Sequence, residues 1–201
     1  MNKNGLFWFG AVIGLALILG GAWFAVSQNY RFKGVVIDPP VPASDFALQD
    51  QHGNIYRLSE QRGKIVLIFF GYTNCPDVCP ITLSEFKRIK ALLTDQADRV
   101  EFVFITVDPQ RDTVERLAQY LPNFDPQFIG LTADQATLEV VWKAYGVYQQ
   151  KQDTGSAAGY LVDHSARTYL IDQQGNWRIN YPYGMASEKI VQDLRYLLKK
   201  Q

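Results

Sequence analysis

Cys75 and Cys79 are the only cysteines of the chain, and both stand in the segment GYTNCPDVCP, residues 71–80. An apolar run, Ile65 to Phe70, precedes them, and a helix-compatible stretch opened by Pro80 follows. That places the pair where a strand gives way to a helix. A helix start presents unpaired N–H groups and a positive dipole end, which favour thiolate over thiol. Two thiolates at this spacing can converge on one ion, and soft sulfur donors suit Cu(I). The same pair could form a disulfide in an oxidising compartment, but a bridge closing so small a loop constrains little of the unfolded chain. A structural zinc site would need a second Cys/His pair, which the sequence lacks.

One neutral nitrogen would complete a three-coordinate site. Of the two histidines, His52 lies in the turn-forming His52-Gly53-Asn54. His164, in YLVDHSARTYLID, precedes a strand that starts near Thr168. In α/β sheets, site-bearing loops gather at strand ends, so His164 is the candidate nitrogen ligand, with Asp163 beside it as a hydrogen-bond acceptor behind the imidazole. A third group is FVFITVDPQRDT, residues 102–113, where Asp108 ends a strand near the cysteine loop. Carboxylates suit harder ions, so Asp108 is expected to support the site or face a partner rather than ligate. Asp108-Pro109 also makes a turn, and Asp112 with Glu115 reads as a capping box.

These residues need a scaffold. Ile65–Phe70 and Val100–Val107 are continuous apolar runs, as in strands covered on both faces. Helices are expected from Pro80 to about 97, from Asp112 to Tyr120, from Ala136 to Tyr145 and from about Ala186 to Lys199. A first hairpin lies in FALQDQHGNIYRLSEQRGK; a second joins Thr168–Asp172 to Trp177–Tyr181 through Gln173-Gln174-Gly175-Asn176. Residues 149–159 read as an exposed loop. The alternation predicts an α/β domain with a central mixed sheet flanked by helices.

The 201 residues suffice for one domain and a terminal appendage, and 20 basic against 20 acidic residues leave no electrostatic footprint for nucleic acid. Leu6 to Val26 carries no charge, and at helical rise it spans about 31 Å, the hydrocarbon thickness of a bilayer. Trp8 and Trp23 near its ends suit interfacial anchoring. The expected plan is a cytoplasmic tail over 1–5, a transmembrane anchor over 6–26, a proline-containing tether over 27–44 and a domain over 45–201. That domain is expected to face the periplasm from a bacterial inner membrane.

GYTNCPDVCP, VDPQRDT and YLVDHS, in this order and at these separations, resemble the three signature segments of the Sco/SenC (PrrC) family of copper chaperones. The resemblance covers residues 45–200 and implies a thioredoxin-like fold, with Cys75, Cys79 and His164 in the positions of the family's copper ligands. It implies copper, as Cu(I) or Cu(II), as the bound metal. It also implies other copper carriers as partners and, as client, the binuclear copper centre in subunit II of cytochrome c oxidase. The chain departs from thioredoxins proper: their C-x-x-C is one residue shorter, and the proline they place opposite the cysteines is missing, since none occurs between Pro126 and Pro182. A metal carrier is thus the leading reading, and a reductase using Cys75 and Cys79 on the client's cysteines is the alternative. A peroxidase would need a Thr and Arg arrangement that Thr73 and Arg111 do not make.

Overall fold

The computed structural model describes residues 30–153 and 159–199, together with Gly14. The expected anchor over 6–26 therefore lies, Gly14 apart, outside the described residues, as does the tail over 1–5. Among the described residues no helix is long and apolar enough to cross a membrane.

The compact unit runs from Lys33 onward. Its centre is β4 (Ile65–Gly71), buried at every position because both faces are covered. It pairs in parallel with β5 (Val100–Thr106), which pairs in parallel with β6 (Ile129–Thr132). On the other side, β9 (Arg167–Ile171) and β10 (Asn176–Pro182) form an antiparallel hairpin against β4. The hairpin of β2 (Ala47–Asp50) and β3 (Ile55–Arg57) extends the sheet beyond β6. With β1 (Val35–Pro42) at the far edge, the order is β1-β10-β9-β4-β5-β6-β2-β3.

Period-two alternation along β4 sends neighbouring aromatic rings to opposite faces. Phe69 meets Phe104 on the face that also receives Phe86, from α1 (Val78–Leu93). Phe70 meets Tyr145 and Tyr169 on the other. Tyr145 caps α3 (Gln135–Ala144), and α4 (Ser187–Lys199) packs beside α1. The result is helices on both sides of a mixed sheet, with a short helix α2 (Val114–Tyr120) after β5.

Four segments depart from the sequence reading. The stretch expected as tether carries β1, whose ladder is interrupted between Val36 and Val41. Pro39 and Pro40 fall in that interruption, where an edge strand tolerates residues without an N–H. Gly34 just before it lies so close to the sheet that a Cβ would stand 2.3 Å from the Ile179 side chain. Residues 149–159 were expected as loop, but β7 (Gln149–Asp153) and β8 (Tyr160–His164) form a separate two-stranded hairpin. β7, QQKQD, is almost all exposed and carries no apolar alternation to announce it. β6 is only four residues long, too short for a period to show. Finally, α1 opens at Val78 rather than Pro80 and gives way at Thr94, where φ turns to 54°, to a tighter helical turn over Thr94–Arg99.

Candidate metal centre

The cysteine loop leaves the end of β4 at Gly71. A side chain there is excluded, since a Cβ would stand 2.8 Å from the rings of Phe69 and Phe104 and 3.0 Å from Cys79 Sγ. The loop then places Cys79 in the first turn of α1, fully buried, and leaves Cys75 partly exposed. Asp77 precedes the helix without capping it through its side chain. Cys75 takes that role: its Sγ accepts from the Cys79 backbone N–H at 3.4 Å, satisfying one of the orphan donors of the helix start. The helix start thus offers the Cys75 sulfur a backbone donor.

His164 closes the group. Its Nε2 stands 3.6 Å from Cys79 Sγ, and one donor atom from each of Cys75, Cys79 and His164 lies within 4.8 Å of the other two. Donors about 2.3 Å from a shared three-coordinate ion stand about 4 Å apart, so this spacing fits such an ion with little rearrangement. The edges of Phe69 and Tyr72 pack against the imidazole, each with ring centroids 5.9 Å apart, and shield it from water on those sides. Neither cysteine is in a disulfide.

The two sulfurs differ in electrostatics. Cys75 is brought down to about 4, chiefly because the Cys79 thiol donates to it; burial opposes this, while His164 and the backbone N–H groups of Asp77 and Cys79 reinforce it. Cys79 moves the other way, raised by the proton it supplies to Cys75 and by its burial. The resting pair is thus one thiolate in front of one thiol. An ion held by both sulfurs must displace the Cys79 proton.

Of the carboxylates expected to support the site, neither touches a donor atom. Asp163 points outward, where it accepts from Gln152 Nε2 at 3.1 Å, and the second nitrogen of His164 faces the Ser165 carbonyl at 3.2 Å instead. The alternation of β8 explains this: Tyr160, Val162 and His164 share the inner face, and Leu161 and Asp163 the outer. Asp108 is fully buried and accepts from Tyr160 and Arg111. Asp112 does not cap α2, which Thr113 does by accepting from the Arg116 N–H. Its fully buried carboxylate accepts instead from the Thr73 N–H, the Thr73 hydroxyl and the Thr106 hydroxyl, tying the cysteine loop to β5. The sequence reading missed that role. The nearby Thr73, two residues before Cys75, was the available signal.

The SCO1/SenC family model matches residues 38–199. The chain belongs to the SCO1/SenC family. It is similar to the SCO2-like protein of Rickettsia prowazekii, 37% identical over 148 residues that make up 73% of this chain and 72% of that protein. Among solved structures it resembles copper-bound ScoI of Bradyrhizobium japonicum, with a TM-score of 0.72 and 38% identity over 79% of this chain and all of that one. It also resembles copper-bound yeast Sco1, with a TM-score of 0.71 and 31% identity over 81% of this chain and 91% of the other. The fold is therefore the thioredoxin-like fold of Sco proteins. The missing thioredoxin proline has a local counterpart: the residues leading into β9 are His164, Ser165 and Ala166, so an imidazole stands close to Cys79 there.

Proposed function

We propose that this chain is a copper-binding assembly factor that holds Cu(I) on Cys75, Cys79 and His164 and delivers it to the binuclear copper centre in subunit II of cytochrome c oxidase. The carrying observation is the convergence of two sulfurs and one imidazole nitrogen within 4.8 Å. Soft donors select Cu(I), and three of them leave the ion open to a fourth ligand from a client. Copper-bound relatives in the same family support the metal's identity. The apolar segment over 6–26 supports tethering to a bacterial inner membrane with the domain in the periplasm, where other copper carriers would supply the ion.

Cu(I) loading of the fragment from residue 33, followed by X-ray absorption, tests this. Two sulfurs and one nitrogen are expected. His164→Ala should retain the two sulfurs, lose the nitrogen and bind copper at least tenfold more weakly; unchanged copper affinity would refute the ligand assignment.

One observation favours a second activity at the same residues. Cys75 is a partly exposed thiolate and Cys79 a buried thiol behind it, the arrangement of an attacking and a resolving cysteine. Cys75 would attack a client disulfide to form a mixed disulfide. Cys79 would then displace the client's second thiol, leaving Cys75 and Cys79 oxidised. His164→Ala separates the two activities, since the exchange does not need the imidazole as a ligand.

A further inference from the structure

His164 is carried by a hairpin that lies outside the main sheet, so something other than strand pairing must set its distance from the cysteines. The contacts that do so concentrate on Tyr160, four residues before His164 on the same face of β8. Its hydroxyl donates to Asp108 Oδ1 at 2.6 Å. Its backbone carbonyl accepts from Arg111 Nη1 at 3.0 Å, and the guanidinium lies over its ring, 3.7 Å from the centroid. Arg111 Nε donates to the other oxygen of Asp108, closing a three-membered cycle of residues. Arg111 Nη2 is buried without a hydrogen-bond acceptor among the described residues. The stacking accounts for that, because the aromatic face offers the cation its compensation. The cysteine loop joins the cycle through Tyr72: its hydroxyl accepts from the Val162 N–H at 3.2 Å, and its ring lies 5.7 Å from the same guanidinium.

We infer that Asp108, Arg111 and Tyr160 form a latch that positions His164 over the cysteine pair, so that its closure decides whether a bound ion has two ligands or three. This rests on the copper reading of the site. Among the described residues none of the three hydrogen-bonds to Cys75, Cys79 or His164; they act through the strand that carries the imidazole. Asp108 is fixed to the end of β5, its N–H donating to the Thr106 hydroxyl, so the latch fastens the hairpin to a fully buried part of the central sheet. Its parts are polar and partly exposed at Arg111, and release of its charge-assisted hydrogen bonds would leave chiefly the buried Val162, whose N–H donates to the Tyr72 hydroxyl, to oppose movement of the hairpin. An ion would then be left on two sulfurs, the state from which a competing client cysteine takes it most easily.

The test uses the full chain in detergent with two conservative variants. Arg111→Lys keeps the charge and loses the fork, and Tyr160→Phe keeps the stacked ring and loses the bond to Asp108. In the metal-free chain, amide exchange over 160–164 should quicken about tenfold or more in Arg111→Lys, and less in Tyr160→Phe, with β4 unchanged. After Cu(I) loading, X-ray absorption should show two sulfurs and one nitrogen in the unmodified chain and a lost or diminished nitrogen in the variants. Unchanged exchange and an intact nitrogen in both variants would overturn the latch, as would equal loss of protection in β4. An unmodified chain that lacks the nitrogen would instead overturn the copper reading itself. Should Arg111→Lys not fold, Tyr160→Phe decides alone.

Discussion

The cysteine loop and the histidine hairpin supply the same site from opposite kinds of structure. The loop grows from β4, buried at every position, and is pinned beneath by the Asp112 carboxylate, which accepts from both the backbone and the side chain of Thr73. The hairpin forms its own two-stranded sheet, shows the outer face of β8 to solvent and is fastened by polar contacts at Lys151, Tyr160 and Val162 and by the buried side chain of Val162. A carrier gains from the asymmetry. On the proposed function, the two sulfurs carried by the core would hold the ion, and the nitrogen on the separately fastened strand would leave first. A site built wholly on the core would bind as well and release poorly.

The comparison breaks most visibly if the loop is not electrostatically preset. With Cys75 down at about 4, its thiolate persists as pH falls through the range where an ordinary thiol, near 9, is already protonated. Alkylation of the metal-free chain should therefore stay nearly level from pH 9 to pH 6 and fall only as the pH approaches 4 to 5. An unshifted thiol would lose about five-hundredfold in thiolate over the upper three units. Mass spectrometry should find the first label on Cys75, since Cys79 is buried and protonated. A drop of about tenfold per unit below about pH 8 would show that the loop does not preset its nucleophile.

The contrast in rigidity sharpens with the buried carboxylate. Asp112→Ala leaves the Thr73 N–H and the Thr106 hydroxyl without their acceptor in a buried place. Global stability should fall by about 2–4 kcal/mol, read as a lower urea midpoint at unchanged slope. Burial raises the Asp112 carboxyl and the hydrogen bonds from Thr73 and Thr106 only partly offset it, so the charged form gains little there. Asp112→Asn should accordingly cost less than Asp112→Ala. If Asp112→Ala is silent, the loop is not held from below.

What was legible in the sequence follows the same division. β4 and β5 declare themselves because continuous burial demands continuous apolar residues, and GYTNCPDVCP and YLVDHS carry their chemistry in residue type. Segments whose stability comes from tertiary polar contacts did not show. β7 has no apolar face, β1 lies on an edge with three prolines in its strand, and the latch joins Arg111 to a tyrosine 49 residues away. Asp112 looked like a cap because Asp before a helix usually is one; only the fold reveals Thr73 beside it.

The smallest effect is expected at the residue next to the ligand. Sequence proximity made Asp163 a candidate acceptor for His164, but strand alternation sends its carboxylate to the outer face and onto Gln152. Asp163→Ala should leave stability within about 0.5 kcal/mol, as for other surface substitutions, and should leave copper affinity and the nitrogen ligand unchanged. The backbone carbonyl of Ser165 still faces the second imidazole nitrogen in that variant, so the tautomer presenting Nε2 to the ion is preserved. A tenfold loss of copper affinity in Asp163→Ala would mean that the hairpin turns over when it binds metal. The outer face would then belong to the site, and the division between a fixed loop and a fastened strand would have to be redrawn.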